Sequence, residues 1–407
     1  MKSDLNYIDL FSGCGGLSLG LYKAGWKGLF AIEKSNDAFD TLKHNLILKC
    51  NHFQWPEWLS LENHDIKDIL SGFKNELMSL KGEVELVVGG PPCQGFSMAG
   101  KRNEDDIRNQ LVHSYLEFID LVRPNYIFFE NVKGFTVSFD NKKKSKPFSQ
   151  YIGEQLEEMG YNVSGRILDF SEYGVPQRRK RFILIGALNS QAESFFDKID
   201  LNKDNFLKRN KLKRRNTISD AISDLLRENG VVNSPDKNKF DAGIYGISTS
   251  SYQKFLRKGF RYTGKVADSH RFPNHKGETV KIFRNVIENA PRNRRLDGDY
   301  KELYGLNRRG AFLLDINSIC PTITSNPDDY IHYTEPRILT VREYARIQSF
   351  PDWYEFKGKY TTGGERRVVE VPRYTQIGNA IPPLFGEQAG IVLKEMVLNE
   401  RKAQIQD

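Results

Sequence analysis

The chain predicts an α/β fold, a Rossmann-like parallel sheet flanked by helices, joined to a second, smaller domain of irregular structure. Three observations carry this. Short β-rich runs alternate with amphipathic stretches through the first half, the mark of βαβ units. The first run ends in a glycine-rich turn that leads into a helix. Regular periodicity then stops near Asn189 and resumes only at Leu339.

In order, Tyr7 to Phe11 reads as a strand and is followed by a helix from about Leu17. Leu29 to Ile32 is the second strand, with a helix from about Asp37. Val84 to Val88 is a mostly apolar strand stopped by Gly-Gly-Pro-Pro, after which a helix begins near Asn109. Tyr126 to Phe129 is a strongly apolar strand, Phe148 to Met159 a helix, and Val163 to Leu168 and Arg181 to Ala187 two more strands. From Asn189 to Asp328, Lys, Arg, Asn and Ser dominate until Gly310 to Leu314, so this stretch reads as the second domain. LTVREYARIQSF, from Leu339, restores a regular pattern, and Leu384 to Asn399 closes the chain as a helix. The expected division is 1–188, 189–328, and 329–407 returning to the first domain.

With 407 residues and 39% hydrophobic content the chain can bury a full core. Lys plus Arg total 60 against 52 Asp plus Glu, a net charge of +8 that favours a polyanionic partner such as nucleic acid. The excess is concentrated in LKRNKLKRRN (Leu207 to Asn216) and NKKKSK (Asn141 to Lys146), each either a solvated loop or a phosphate-binding run. The four cysteines, Cys14, Cys50, Cys93 and Cys320, show no CxxC or zinc-finger spacing, which argues against a disulfide framework or a structural metal. The N-terminus lacks a secretory h-region and no eighteen apolar residues run together, so the expectation is a cytoplasmic protein that does not engage a membrane.

Four motifs carry chemistry. DLFSGCGG (Asp9 to Gly16) is a glycine turn into a helix, where backbone can approach a ligand. It departs from GxGxxG because Ser18 stands where the third glycine falls. Glu33, at the end of the second strand, can bind ribose hydroxyls, so the two suggest a nucleoside cofactor; Glu33 also fits an ordinary strand-terminal acid. In PPCQGFS, Cys93 follows a strand end, either as a nucleophile at the mouth of the sheet or as a small packing residue. Glu130, in ENV after an apolar run, is a carboxyl that desolvation can keep protonated, able to donate to a ring nitrogen; a buried structural acid is the alternative. Cys93 and Glu130 stand at carboxyl ends of strands, where parallel sheets bind ligands. In QRRKR, alternation puts Arg179 and Arg181 on one face.

Taken in order, DLFSGCGG, PPCQGFS, ENV, QRRKR, RILTVREYARIQSFP (Arg337 to Pro351) and YTQIGNAIPP (Tyr374 to Pro383) resemble the DNA (cytosine-5) methyltransferase family of the bacterial restriction-modification type. The resemblance covers roughly Asn6 to Ala187 and Ile331 to Lys394. It implies that Cys93 attacks C6 of cytosine, that Glu130 engages N3, and that Arg179 and Arg181 orient the glutamate and touch the base. It implies S-adenosylmethionine as methyl donor and no metal. Phe11, Gly13, Gly15 and Gly16 would pack against the donor and Glu33 would bind its ribose. Asp65 and Ile66 would lie near the adenine amino group, and Pro92, Leu111 and Asn379 would complete the pocket. Leu46 to Glu62 looks like an insertion before Asp65.

Gln94 to Arg108, with Gln94 and Ser97 as DNA contacts, would be a lid that closes on a flipped cytosine. The unmatched segment becomes the target-recognition domain, with Lys208, Arg209, Lys211, Lys213, Arg214 and Arg215 neutralising phosphates. The implied protein is a monomeric, site-specific enzyme on double-stranded DNA, paired with a restriction endonuclease. An RNA methyltransferase on the same scaffold is the alternative, since cysteine chemistry does not distinguish the sugars. A silent nucleic-acid-binding protein is disfavoured by the intact Cys93, Glu130, Arg179 and Arg181, and a dinucleotide oxidoreductase by Ser18 and by the setting of Cys93.

Overall fold

The computed structural model describes residues 5–92, 107–138, 146–259, 262, 264–306, 310–362, 366 and 370–406. The chain forms two compact units: 1–169 with 180–205 and 385–407, and 170–179 with 206–384. The bounds of these units differ from 1–188, 189–328 and 329–407, because the chain leaves the first unit between two adjacent strands and re-enters it twice.

The first unit is built on a six-stranded sheet: β1 (Asn6–Leu10), β2 (Lys27–Ile32), β3 (Leu86–Gly89), β4 (Tyr126–Val132), β5 (Asn162–Asp169) and β6 (Lys180–Ala187), in the order β2-β1-β3-β4-β6-β5. The pairs β1–β2, β1–β3 and β3–β4 are parallel, as the alternation predicts. β6 departs from that prediction and pairs antiparallel with both β4 and β5. Only a single 3-10 turn (Phe170–Tyr173) and a short loop carry the chain from β5 to β6, too little for a crossover, and without one successive neighbours run in opposite directions.

Helices α1 (Gly16–Ala24), α2 (Asn36–Leu42), α3 (Ile66–Gly72), α4 (Lys74–Ser79), α5 (Ile107–Val122), α6 (Phe148–Glu158) and α7 (Glu193–Arg209) follow in chain order, and Pro383–Gln406 closes the chain as a helix. Beneath the sheet, Ile8, Phe30, Val87, Ile119, Ile127 and Phe129 share one buried cluster with Tyr115, Ile152 and Phe182. Each fully buried side chain of this kind stabilises by roughly 1.5–3 kcal/mol. The segment read as an insertion belongs to this unit: Trp55 and Trp58 pack on the same cluster, and Phe53 bridges to Gly28 of β2.

α1 lies close against the C-terminal helix. A Cβ on Gly20 would sit 2.4 Å from the Gly386 carbonyl carbon, and one on Gly390 would sit 2.8 Å from the Ala24 Cβ. The Trp26 indole donates to the Gly390 carbonyl at 2.8 Å. Gly20 thus permits a close helix–helix approach. Ser18 donates its hydroxyl to Asp9 at 2.5 Å, inside the unit.

α7 is a helix the sequence reading did not place. Lysine, aspartate and asparagine dilute its apolar positions, yet Phe195, Phe196, Ile199, Phe206 and Leu207 are all buried. The second unit holds two three-stranded sheets. One is Val231–Asn233, Asp241–Ile244 and Val266–Arg271; the other is Arg295–Leu296, Ala311–Leu313 and Tyr330–Ile331. Such short strands leave little periodicity to read. Among the described residues no helix is long and apolar enough to cross a membrane.

Candidate active site

Strand β3 sits between β1 and β4, ends at Gly89 and is followed by Gly90. A Cβ on Gly89, whose φ is +127°, would come within 1.9 Å of the Leu10 carbonyl oxygen; one on Gly90 would come within 1.9 Å of the Glu130 carbonyl oxygen. Only glycine lets the backbone leave the sheet there. Immediately beyond, the Asn131 side-chain amide donates to the Pro91 carbonyl at 3.2 Å. The start of the thiol loop is therefore fastened to the residue next to Glu130. Asn131 is buried, and sequence reasoning passed over it. Its signal was its place inside ENV.

Glu130 lies on β4 opposite Ile183 of β6, and Arg181, two residues before Ile183, places its Nε 2.9 Å from Glu130 Oε1. Both side chains are mostly shielded from water. A guanidinium thus stands beside the acid. Arg179 has partners of its own. It precedes the strand, belongs to the second unit, is buried, and donates to the Gly378 carbonyl at 2.9 Å and the Ile323 carbonyl at 3.5 Å. Asn379, beside Gly378, is exposed at the end of helix Arg373–Asn379.

Cys93, Gln94 and Ser97 lie outside the described residues. The other three cysteines are not poised as nucleophiles. Burial pushes the Cys14 and Cys320 thiols far above their ordinary range, and burial also raises Cys50, which is half-buried. A thiol held in its neutral form is a poor nucleophile.

The proposed donor pocket gathers around the glycine turn. Gly13 and Gly15 adopt φ of +55° and +83°, and a Cβ on Gly13 would meet nothing within 4 Å. Phe11 also takes a left-handed φ of +58°, and with Leu111 it is a partly buried apolar residue packed on the core cluster. Gly16 opens α1 and is buried. The Glu33 carboxylate spans the turn, accepting from the Gly13 amide at 2.9 Å and the Ser35 amide at 2.7 Å. Desolvation raises its pKa against the pull of these amides.

The Glu33 carbonyl accepts from the His64 amide at 2.9 Å, and Lys34 pairs with Asp65 at 2.8 Å, so Asp65 is held beside the end of β2. Desolvation would raise the Asp65 carboxyl, but Lys34 and the Lys67 amide hold it below its usual value. Asp65 also caps α3, in which Ile66 is the first, buried residue. Pro92 is exposed. One further residue emerges only from the structure. The Ser12 hydroxyl is buried in the turn and makes no hydrogen bond among the described residues. An orphaned donor in an open glycine turn, without a partner among the described residues, fits a ligand that brings a polar group there.

The predicted basic run is partly neutralised within the second unit. All six cations are exposed, but Lys213 pairs with Asp220 at 2.8 Å, Arg215 with Glu172 at 2.5 Å and Arg214 with Glu172 at 3.8 Å. Lys208 and Arg209 end α7, and Lys211 follows with a left-handed φ of +56°. The arginines of RILTVREYARIQSFP are structural. Arg337 pairs with Glu343 at 2.7 Å, Arg342 with Asp268 at 2.8 Å and Arg346 with Asp352 at 2.5 Å, all three arginines being buried.

The model of the C-5 cytosine-specific DNA methylase family matches residues 5–395. The chain is 32% identical over 397 residues to Type II methyltransferase M.DdeI of Desulfomicrobium norvegicum, covering 94% of this chain and 87% of that protein. It is 31% identical over 418 residues to Type II methyltransferase M.XorII of Xanthomonas oryzae pv. oryzae, covering 94% and 83%. Among solved structures, one of a DNA modification methyltransferase encoded within an E. coli prophage matches with a TM-score of 0.64 at 23% identity, covering 97% of this chain and 99% of that one. That last likeness is one of fold.

Proposed function

The chain belongs to the C-5 cytosine-specific DNA methylase family, and on that premise we propose how its own residues methylate cytosine at C5. The family uses S-adenosylmethionine, which supplies an electrophilic methyl group on a sulfonium. Glu33 would hold the ribose, the Gly13 to Gly16 turn and Ser12 the amino-acid end, and Phe11, Asp65, Ile66, Pro92, Leu111 and Asn379 the remainder. The Cys93 thiolate attacks C6 of a cytosine flipped out of the duplex, and the new bond pushes electron density to C5, which takes the methyl. Glu130, steadied by Arg181, hydrogen-bonds N3 and stabilises the charge that develops there. Transfer of the C5 proton to water then lets the electrons of that bond form the C5–C6 double bond and expel the thiolate, restoring both the aromatic ring and the enzyme.

The observation that supports this reading best is the anchoring of Pro91 by Asn131. It ties the segment leading to Cys93 to the strand end that carries Glu130 and its Arg181 partner. Arg179, by its place in the family's Gln-x-Arg-x-Arg motif, contacts the base, the exposed cations from Lys208 to Arg215 approach phosphates, and Gln94 and Ser97 contact the strand. The segments 1–188, 189–328 and 329–407 act as catalytic domain, target-recognition domain and returning C-terminal part. The enzyme is cytoplasmic and monomeric. It modifies one sequence and so protects its host's DNA from a partner endonuclease.

The test is incubation with labelled S-adenosylmethionine and sheared genomic duplex DNA, followed by bisulfite sequencing. Label at cytosine C5 in a single sequence context is expected. Label only on RNA, or on a ring amino group, sinks the proposal. Cys93→Ser should abolish transfer while donor binding survives; full turnover by that variant would refute the covalent step.

A further inference from the structure

Arg271, the last residue of strand Val266–Arg271, is a cation without an acid. Its guanidinium carbon lies 3.7 Å from the Tyr360 ring centroid and 4.1 Å from that of Phe240, and it forms no hydrogen bond or ion pair among the described residues. Burial pulls its pKa below the ordinary arginine value. The neighbouring acids are already engaged. Asp236 accepts from Arg373 at 3.1 Å and from the Tyr360 hydroxyl, which fixes that ring; Asp241 pairs with Arg227 at 2.8 Å. Lys237, 5.8 Å from the Phe240 centroid, and Lys239 are exposed on the same loop. Stacking engages the faces of a guanidinium and leaves its N–H groups, which lie in the plane, free to donate. A half-buried arginine with five donors and no acceptor is incomplete unless a ligand supplies one.

We propose that Arg271, held by Phe240 and Tyr360 and flanked by Lys237 and Lys239, is a DNA contact that takes a pair of in-plane acceptors from the duplex. These are either O6 and N7 of a guanine or two oxygens of a backbone phosphate. The proposal rests on the DNA-methyltransferase reading and moves part of the recognition surface away from the Lys208 to Arg215 run. Lysine cannot reproduce it, because an ammonium lacks the planar fork.

The experiment compares the full-length wild-type chain with Arg271→Lys on sheared genomic duplex DNA, reading methylated contexts by bisulfite sequencing. It also reads the affinity for a random-sequence duplex as a function of salt. If the contact is a guanine, discrimination at one position of the site falls roughly 5- to 150-fold. If it is a phosphate, contexts stay the same, while binding weakens on all sequences, and Arg271→Gln, which removes the charge that lysine keeps, lowers the salt slope by about one. Unchanged contexts together with an unchanged slope in Arg271→Gln overturn the proposal, as does a lower Tm alone, which marks a merely structural arginine. Should Arg271→Lys fail to fold, Phe240→Leu keeps the cation but loosens it, and must move contexts or affinity in the same direction. If the wild type transfers no methyl yet loses salt slope in Arg271→Gln, the catalytic reading falls and the contact stands; a wild type that binds no duplex overturns both.

Discussion

Replacing Gly90 with alanine puts a methyl group where the backbone of β4 already is. The added Cβ would lie 1.9 Å from the Glu130 carbonyl oxygen and 2.9 Å from its carbonyl carbon, whereas ordinary contact begins at 3.4 Å. The strand ends must therefore part by roughly 1.5 Å, the difference between 3.4 and 1.9 Å. Backbone cannot rotate aside as a flexible side chain can, so overpacking of this kind costs about 1–3 kcal/mol. In a domain of this size 2 kcal/mol corresponds to a fall in Tm of roughly 4–8 °C. Catalysis should suffer more than stability. The parting occurs between the residue that precedes Pro91 and the residue that carries the acid, and a displacement near 1 Å of reacting groups costs about 100-fold in rate.

The assay is single-turnover transfer from labelled S-adenosylmethionine to duplex DNA, beside a thermal melt and a donor Kd. Gly72→Ala is the control, since its added Cβ meets nothing within 4 Å. A Gly90→Ala variant with a transfer rate within twofold of wild type, or one matching Gly72→Ala in Tm, would refute the claim that the glycine pair sets the geometry of the loop.

Two further outcomes follow from buried polar groups. Ser12→Ala should weaken S-adenosylmethionine binding by roughly 10- to 100-fold, as loss of a hydrogen bond to a charged group does, without lowering Tm, because the hydroxyl has no partner among the described residues; an unchanged Kd by calorimetry would remove Ser12 from the pocket. Asp9 supplies a pH signature. Burial pushes its carboxyl up to about 7 from 3.8, against the pull of the Ser18 hydroxyl. The folded state therefore holds one more proton than the unfolded state between about pH 4 and 7, and this residue's contribution falls as pH rises through that window. Asp9→Asn should gain on wild type over the same window, by up to about 4 kcal/mol at pH 8 at 1.36 kcal/mol per pKa unit. Chemical denaturation at pH 4 and pH 8 measures it; a difference that does not change with pH would mean Asp9 is not a buried acid.

What could be read in the linear chain was whatever local chemistry dictates. The parallel half of the sheet, the glycine turn, the acid closing β2, and the order of the six motifs all lie within short windows where alternation, chain breakers and residue type carry the signal. Those windows were enough to name the family and its methyl donor. They could not show that β6 reverses, because strand direction depends on how β5 connects to it rather than on the strand's composition. They could not separate Arg179 from Arg181, since two residues apart in sequence they serve different units. Nor could they tell which cations of Lys208 to Arg215 are neutralised, that Asn131 fastens Pro91, that Ser12 lacks a partner, or that Arg271 rests against two rings. The sequence by itself determined the family and with it the chemistry, because the order of six short motifs, rather than any single reactive group, carries that signal. Tertiary structure alone decided which groups are paired and which are left with unmet hydrogen bonds, because such partners come from strands and loops tens to hundreds of residues away.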